Sequence, residues 1–232
     1  MAAVTQHDDK SPGVGGESGR KPYKVTILAA SPRKGGNCDA IARLCKRAFE
    51  DDGAVVSLLH LREFEIRPCV SCGACQETDA GLSRLTPEWR TDFGCPLGRA
   101  DDVPKLLGKL LDADRILVIS PIYFYHLPAL FKALLDRMQP FWSEDAVGAH
   151  SPEPAAKPCG VILIAGRKTG AKLFEGSLLT LKYSLANLNV FLDDPLLLRG
   201  LDGPGDLENS PECQRLVDAY ARKQSGGLVS ES

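Results

Sequence analysis

Cys69, Cys72 and Cys75 stand in the run Cys69-Val70-Ser71-Cys72-Gly73-Ala74-Cys75, and a further cysteine, Cys95, precedes Pro96. Thiols this close together offer several soft ligands to one point, which is what an iron–sulfur core held by four thiolates requires. The same residues also fit redox thiols without a metal. They fit zinc as well, although structural zinc sites usually divide their ligands between two separate pairs.

A second group, Ser31-Pro32-Arg33-Lys34-Gly35-Gly36-Asn37-Cys38, has the chemistry of a monophosphate loop. Amides at a helix start point at an anion, Gly35 and Gly36 permit close approach, Ser31 and Asn37 add donors, and Arg33 or Lys34 adds charge. There is no G-x-G-x-x-G and no G-K-[ST], so neither a dinucleotide fold nor a nucleoside-triphosphate loop is indicated. A plain strand–helix turn capped by Asn37 accounts for the same residues. A third group, Ser120-Pro121-Ile122-Tyr123-Phe124-Tyr125, offers an aromatic shelf for a planar ring, or packing beneath the helix that follows. The segment from Gly166 to Gly170 would enclose the remaining side. His126 reads as partly exposed, and Lys132 with Asp136 as a solvated i,i+4 pair. Cys45 and Cys159 read as core residues, and Cys213 as structural or exposed.

These groups need elements to hold them. Lys24–Ala30 is a β-branched-rich strand, and Asn37 opens a helix with Ile41, Leu44, Cys45, Ala48 and Phe49 on one face. Gly53 closes that helix, and Val55–Leu61 forms a second strand. After the cysteines come a helix at about 102–111 and a nearly unbroken apolar strand at Arg115–Ser120, as expected where helices cover both faces. Pro128 opens a helix bearing Leu130, Phe131, Leu134, Leu135 and Met138. A Pro-rich loop at 140–158 then leads to a strand at Gly160–Ala165, a helix at 176–188, a strand at Val190–Leu197 and a last helix at Pro211–Lys223. This alternation predicts an α/β, flavodoxin-like five-stranded parallel sheet, order 2-1-3-4-5, with helices on both faces and ligands beyond the strands' carboxyl ends.

The expected organisation is one domain at 23–223 with a cysteine-rich insertion at about 67–100, between disordered tails at 1–22 and 224–232. A net charge of −2 without a basic block argues against nucleic acid, and no apolar run reaches membrane-spanning length. The polar N-terminus does not read as a secretory signal, so a cytoplasmic location is expected, with the eight cysteines reduced.

Ser31-Pro32-Arg33 with Asn37, Ser120-Pro121-Ile122-Tyr123, and Leu127-Pro128-Ala129-Leu130-Phe131-Lys132 with Asp136-Arg137 occur in this order. Over about residues 24–200 the chain thereby resembles the NAD(P)H-dependent FMN reductase branch of the flavodoxin-like superfamily. The resemblance implies that Ser31, Arg33, Asn37 and Cys38 hold the FMN phosphate. It also implies that Pro121, Ile122, Tyr123 and Phe124 flank the isoalloxazine, with the Gly166–Gly170 loop over it. Cys38 departs from the Ser or Thr usual in that position. Within the superfamily, the cysteines, together with Asp101-Asp102, resemble the iron–sulfur flavoproteins, which implies a 4Fe–4S cluster on Cys69, Cys72, Cys75 and Cys95. Nineteen residues separate Cys75 from Cys95, more than the pattern has. The implied function is an FMN-dependent redox enzyme, moving electrons between NAD(P)H or ferredoxin and a small-molecule acceptor. The alternatives are a flavin-only FMN or quinone reductase, a non-enzymatic electron carrier, and a redox or metal sensor without flavin. A homodimer or homotetramer is implied as well, with Trp89 and Phe93 available for its interface.

Overall fold

Every second residue of β1 (Lys24–Ala29) faces the same way, so Val25, Ile27 and Ala29 join one buried cluster and Leu28 another. The computed structural model describes residues 23–77, 95–141 and 156–226; the expected tail at 1–22, residues 227–232 of the expected tail at 224–232, and Trp89 and Phe93 lie outside them. In chain order α1 (Asn37–Asp51), β2 (Val55–His60), the single turn α2 (Ala74–Glu77) and α3 (Val103–Asp112) follow β1. Then come β3 (Arg115–Pro121), α4 (Ala129–Asp136), β4 (Lys157–Ala165), α5 (Glu175–Ala186), β5 (Val190–Leu192), β6 (Leu196–Arg199) and α6 (Pro211–Gly226).

The sheet is parallel throughout, in the order β2-β1-β3-β4-β5, as the alternation predicts. One core lies under α1 and α6, where Ile41, Cys45, Phe49, Val217 and Ala221 meet Ile27, Leu117 and Ile162. The other lies under α3, α4 and α5, where Leu106, Leu110, Phe131, Leu134 and Leu181 meet Val118, Val161 and Leu163. Cys45 and Cys159 are wholly buried, as expected. Burial pushes each of their thiols up to about 12, so both stay protonated.

Some boundaries differ from the sequence reading. The expected strand Val190–Leu197 is broken in two: Cys159 faces Leu192, but Ile162 faces Leu196, leaving one extra residue on the outer strand. The break falls at Asp193-Asp194-Pro195, where proline lacks a ladder donor and Asp193 turns to meet Arg115 at 2.7 Å. Strand β4 begins at Lys157 and so takes in Pro158, which lies before the first rung shared with β3. Helix α6 runs to Gly226, past the expected start of the tail at 224. Gln224 and Ser225 are buried there, with Gln224 hydrogen-bonded to Arg115 and Ser225 to Asp52.

Candidate functional site

With all strands parallel, the loops after β1, β2, β3 and β4 emerge at the same edge of the sheet. The first is the expected phosphate loop. Gly35 has φ +71°, a left-handed conformation that suits glycine, and a Cβ there would meet nothing within 4 Å, so the loop's outer face is open. Gly36, not Asn37, is the N-cap residue of α1. Its carbonyl accepts from the amides of Asp39 and Ala40 at 3.0 and 3.2 Å, while those of Asn37 and Cys38 have no acceptor within the helix. These are donors an anion would take.

Asn37 corrects the expectation of a capping side chain. Its amide nitrogen donates to the Gly203 carbonyl at 3.0 Å, and its oxygen accepts from the Leu207 amide at 3.1 Å, so it pins the 203–207 turn instead. Arg33 donates to the Asp202 carbonyl at 2.6 Å, tying the loop to the same turn. Cys38 is buried beside Ser31, and burial with the Asp39 charge pushes its thiol up to about 12, so it remains a neutral, weak donor.

The sequence reading missed what braces this loop from behind. Asp39 is buried, accepts from the Gly35 amide at 2.8 Å, and forms a bidentate pair with Arg62 at 2.8 and 2.9 Å. Burial raises the Asp39 carboxyl, but the hydrogen bonds from Arg62 and Gly35 and the charges of Arg62 and His60 outweigh it and hold it below the usual range. A bulky cation at the end of β2 was the available signal.

Beside the loop is a cleft of about 560 Å³ lined by Ile122, Phe124, Tyr125, Ala165, Gly166, Arg167, Leu173 and Asp202. Of the predicted shelf and cover, Ile122, Phe124 and Gly166 line it, whereas Pro121 is the buried end of β3 and pairs with Ile164. Tyr123 faces outward at 41% exposure, and its backbone exchanges two hydrogen bonds with His126, both 2.9 Å. Gly170 comes near the cleft wall instead of lining it: a Cβ there would stand 3.2 Å from the Tyr125 hydroxyl. That hydroxyl accepts from Arg167 at 3.2 Å, and the guanidinium lies 5.6 Å from the ring centroid. A Cβ at Gly166 would meet the Asp202 side chain at 2.9 Å, so glycine is what leaves room there. Tyr125 and Arg167 stand inside segments already marked by the sequence, but Leu173 and Asp202 carried no local signal. His126 is half-buried, with Nε2 3.1 Å from the Thr180 hydroxyl, and Lys132 and Asp136 form the half-exposed pair expected of them. A phosphorylated planar ring fits the combination of unpaired helix amides and an adjoining aromatic cleft.

The loop after β2 builds a second cavity, about 420 Å³, lined by all four predicted cysteines, Cys69, Cys72, Cys75 and Cys95, together with Val70, Pro96, Asp136 and Arg137. The fold-back that brings Cys95 home is stitched by backbone and carboxylates. The Asp102 amide donates to the Glu65 carbonyl at 2.8 Å, Asp102 accepts from the Glu65 amide at 2.9 Å, and Asp101 accepts from the Arg67 amide at 3.0 Å. Ser71 and Gly73 have φ +51° and +78°, which curls the chain between the cysteines, and the Ser71 amide donates to Cys69 Sγ at 3.4 Å. Cys69 and Cys72 are exposed; Cys75 and Cys95 are half-buried. Burial chiefly raises the Cys75 thiol, and the thiols of Cys95, Cys69 and Cys72 add to it. Among the described residues no three His, Cys, Asp or Glu side chains converge on a single-ion site. Four thiols line one void, and thiols are soft ligands.

Known proteins resemble parts of this chain in sequence and most of it in fold. An iron-sulfur flavoprotein of Methanocaldococcus jannaschii is 32% identical over 117 residues, 50% of this chain and 52% of that protein. One from Methanosarcina thermophila is 32% identical over 114 residues, 49% and 51% respectively. The chain thus spans about half the length of the curated relatives it matches. The fold is shared with an FMN-dependent NADH-azoreductase from Bacillus anthracis solved with FMN, at TM-score 0.59 and 14% identity over 87% of this chain and 99% of that one. It is shared too with an NAD(P)H:quinone oxidoreductase from Methanothermobacter marburgensis, at TM-score 0.57 and 19% identity over 91% and 98%. The family model described as NADPH-dependent FMN reductase matches residues 23–187, and to that family this chain belongs.

Proposed function

We propose that this protein is an FMN-dependent oxidoreductase carrying a 4Fe–4S cluster, which moves electrons between NAD(P)H or ferredoxin and an acceptor such as a quinone, a flavin or oxygen. The observation that carries the reading is that segments following the parallel strands line two cavities. One has an aromatic cleft beside unpaired helix amides, and the other has four thiols. Ser31, Arg33, Gly35, Gly36 and the amides of Asn37 and Cys38 would hold the phosphate. Ile122, Phe124, Tyr125 and Gly166 would hold the ring, and Cys69, Cys72, Cys75 and Cys95 the cluster. When bound, FMN exchanges electrons in pairs or singly, and the cluster exchanges them singly. The chain's own part is placement and field. Ile122 and Leu173 exclude water from the cleft, while Arg167, held by Tyr125, keeps a positive charge at its edge that favours added electrons. A homodimer or homotetramer belongs to the same reading, supported by the exposed aromatic group Tyr123, Phe124 and Tyr125.

The test is the visible spectrum of anaerobically purified protein before and after dithionite, with iron, sulfide and FMN assayed. Flavin bands over a broad shoulder that bleaches are expected, and Cys72→Ser should lose iron and sulfide while keeping FMN. A flavin spectrum without iron, even after reconstitution, would reduce the reading to a flavin-only reductase. NAD(P)H oxidation compared with reduction by ferredoxin identifies the donor.

A further inference from the structure

Arg137 lines the cysteine cavity, and nothing so far gives it a task. The other charged residue of the lining, Asp136, is half-exposed and already paired with Lys132 at 2.5 Å. Arg137 differs: its side chain is 1% exposed and that of its partner, Asp101, is wholly buried. One terminal nitrogen donates both to Asp101 Oδ2 at 2.5 Å and to the Arg67 carbonyl at 3.0 Å. Its Nε–H is buried and has no acceptor among the described residues. Asp101 also accepts from the amides of Arg67 at 3.0 Å and Val103 at 3.2 Å.

Stability alone is a poor reason for this arrangement. Desolvating two charges offsets most of their attraction, and apolar residues of similar volume usually do as well. A charged N–H left without an acceptor adds to the cost. The two residues also differ in place: Arg137 is part of the cavity lining, whereas Asp101 is not.

We propose that Arg137 is the residue that sets the redox potential of the cysteine cavity: Asp101 holds its guanidinium as a fixed positive charge against the cluster bound there. This rests on the cluster assigned above. An added electron makes a thiolate-ligated cluster more negative, so a nearby cation favours the reduced form and raises the potential. Asp101 partly cancels that effect from behind. The two partners therefore act with opposite signs, which a merely structural pair would not do.

The experiment is a potentiometric titration of the cluster signal in the reconstituted full-length protein, wild type against Arg137→Met, Arg137→Lys and Asp101→Asn, with FMN stoichiometry as the check on folding. Arg137→Met should lower the reduced-to-oxidised ratio at a fixed potential about tenfold, equivalent to about 59 mV for a one-electron couple. Asp101→Asn should shift the midpoint the opposite way, and Arg137→Lys should stay close to wild type. If Arg137→Met does not fold, the upward shift in Asp101→Asn decides the matter. Midpoints that do not move, or that fall in every variant, overturn the role of Arg137 while leaving the cluster in place. A wild-type protein that takes up no iron and sulfide overturns both.

Discussion

Asp39 puts a carboxylate directly behind a loop suited to an anion, which makes sense only because Arg62 and the Gly35 amide neutralise it. Its folded pKa lies below the ordinary value of about 3.9, so the pair's stabilisation is complete above that value and is lost as pH falls through the lower folded one. Asp39→Asn should therefore cost about 3 kcal/mol at neutral pH, because Arg62 is left almost buried with only the long contacts to the Ser31 and Arg33 carbonyls and to Glu63. The loss should shrink below about pH 4. Urea titrations at pH 7 and pH 3 check this, and an equal loss at both would refute it. FMN affinity should fall in parallel, because the same carboxylate sets the Gly35 amide.

The turn after β3 shows what an element can hold in tension. Tyr123 and His126 pair across it, and its two central residues, Phe124 and Tyr125, have φ +49° and +65°. Such a turn favours Asn-Gly, because bulky side chains are strained there. Phe124 is nonetheless fully exposed while it borders the cleft, so the strain serves no packing need of the isolated chain. Replacing Phe124-Tyr125 with Asn-Gly should stabilise the flavin-free protein by about 1–2 kcal/mol. It should also weaken FMN binding at least tenfold through loss of the cleft wall and of the Tyr125–Arg167 contact. Thermal melts and a fluorescence titration with FMN read the two effects separately, and a destabilised variant would show that the turn is not strained.

Across the whole molecule the fold sorts its cysteines by exposure, with Cys75, Cys95 and Cys213 half-buried between two extremes. Cys38, Cys45 and Cys159 lie in the cores with thiols pushed up to about 12, whereas Cys69 and Cys72 stand exposed at the rim of the second cavity. In native protein stripped of metal, iodoacetamide at pH 7.5 should modify Cys69 and Cys72 within minutes and spare Cys38, Cys45 and Cys159 until the protein is unfolded. Peptide mass mapping reads the result; early labelling of Cys45 or Cys159 would mean the core opens far more readily than its burial implies. No helix among the described residues is long and apolar enough to cross a membrane.

The sequence alone determined the order of the sheet, because apolar period and turn residues are local and the handedness of parallel crossovers leaves few arrangements. It also marked the cysteine run, the Gly35-Gly36 loop and the aromatic turn, since each is a short motif whose chemistry lies in adjacent residues. Tertiary structure decided everything that depends on partners far apart in the chain. Asn37 looked like a cap until the 203–207 turn claimed both ends of its amide. Asp202 and Leu173 joined the cleft from separate loops. The long spacing before Cys95 closed because Asp101 and Asp102 bind Glu65 and Arg67. A side chain's donors go to whichever acceptors the packed core brings within 3 Å, and no local pattern encodes that encounter.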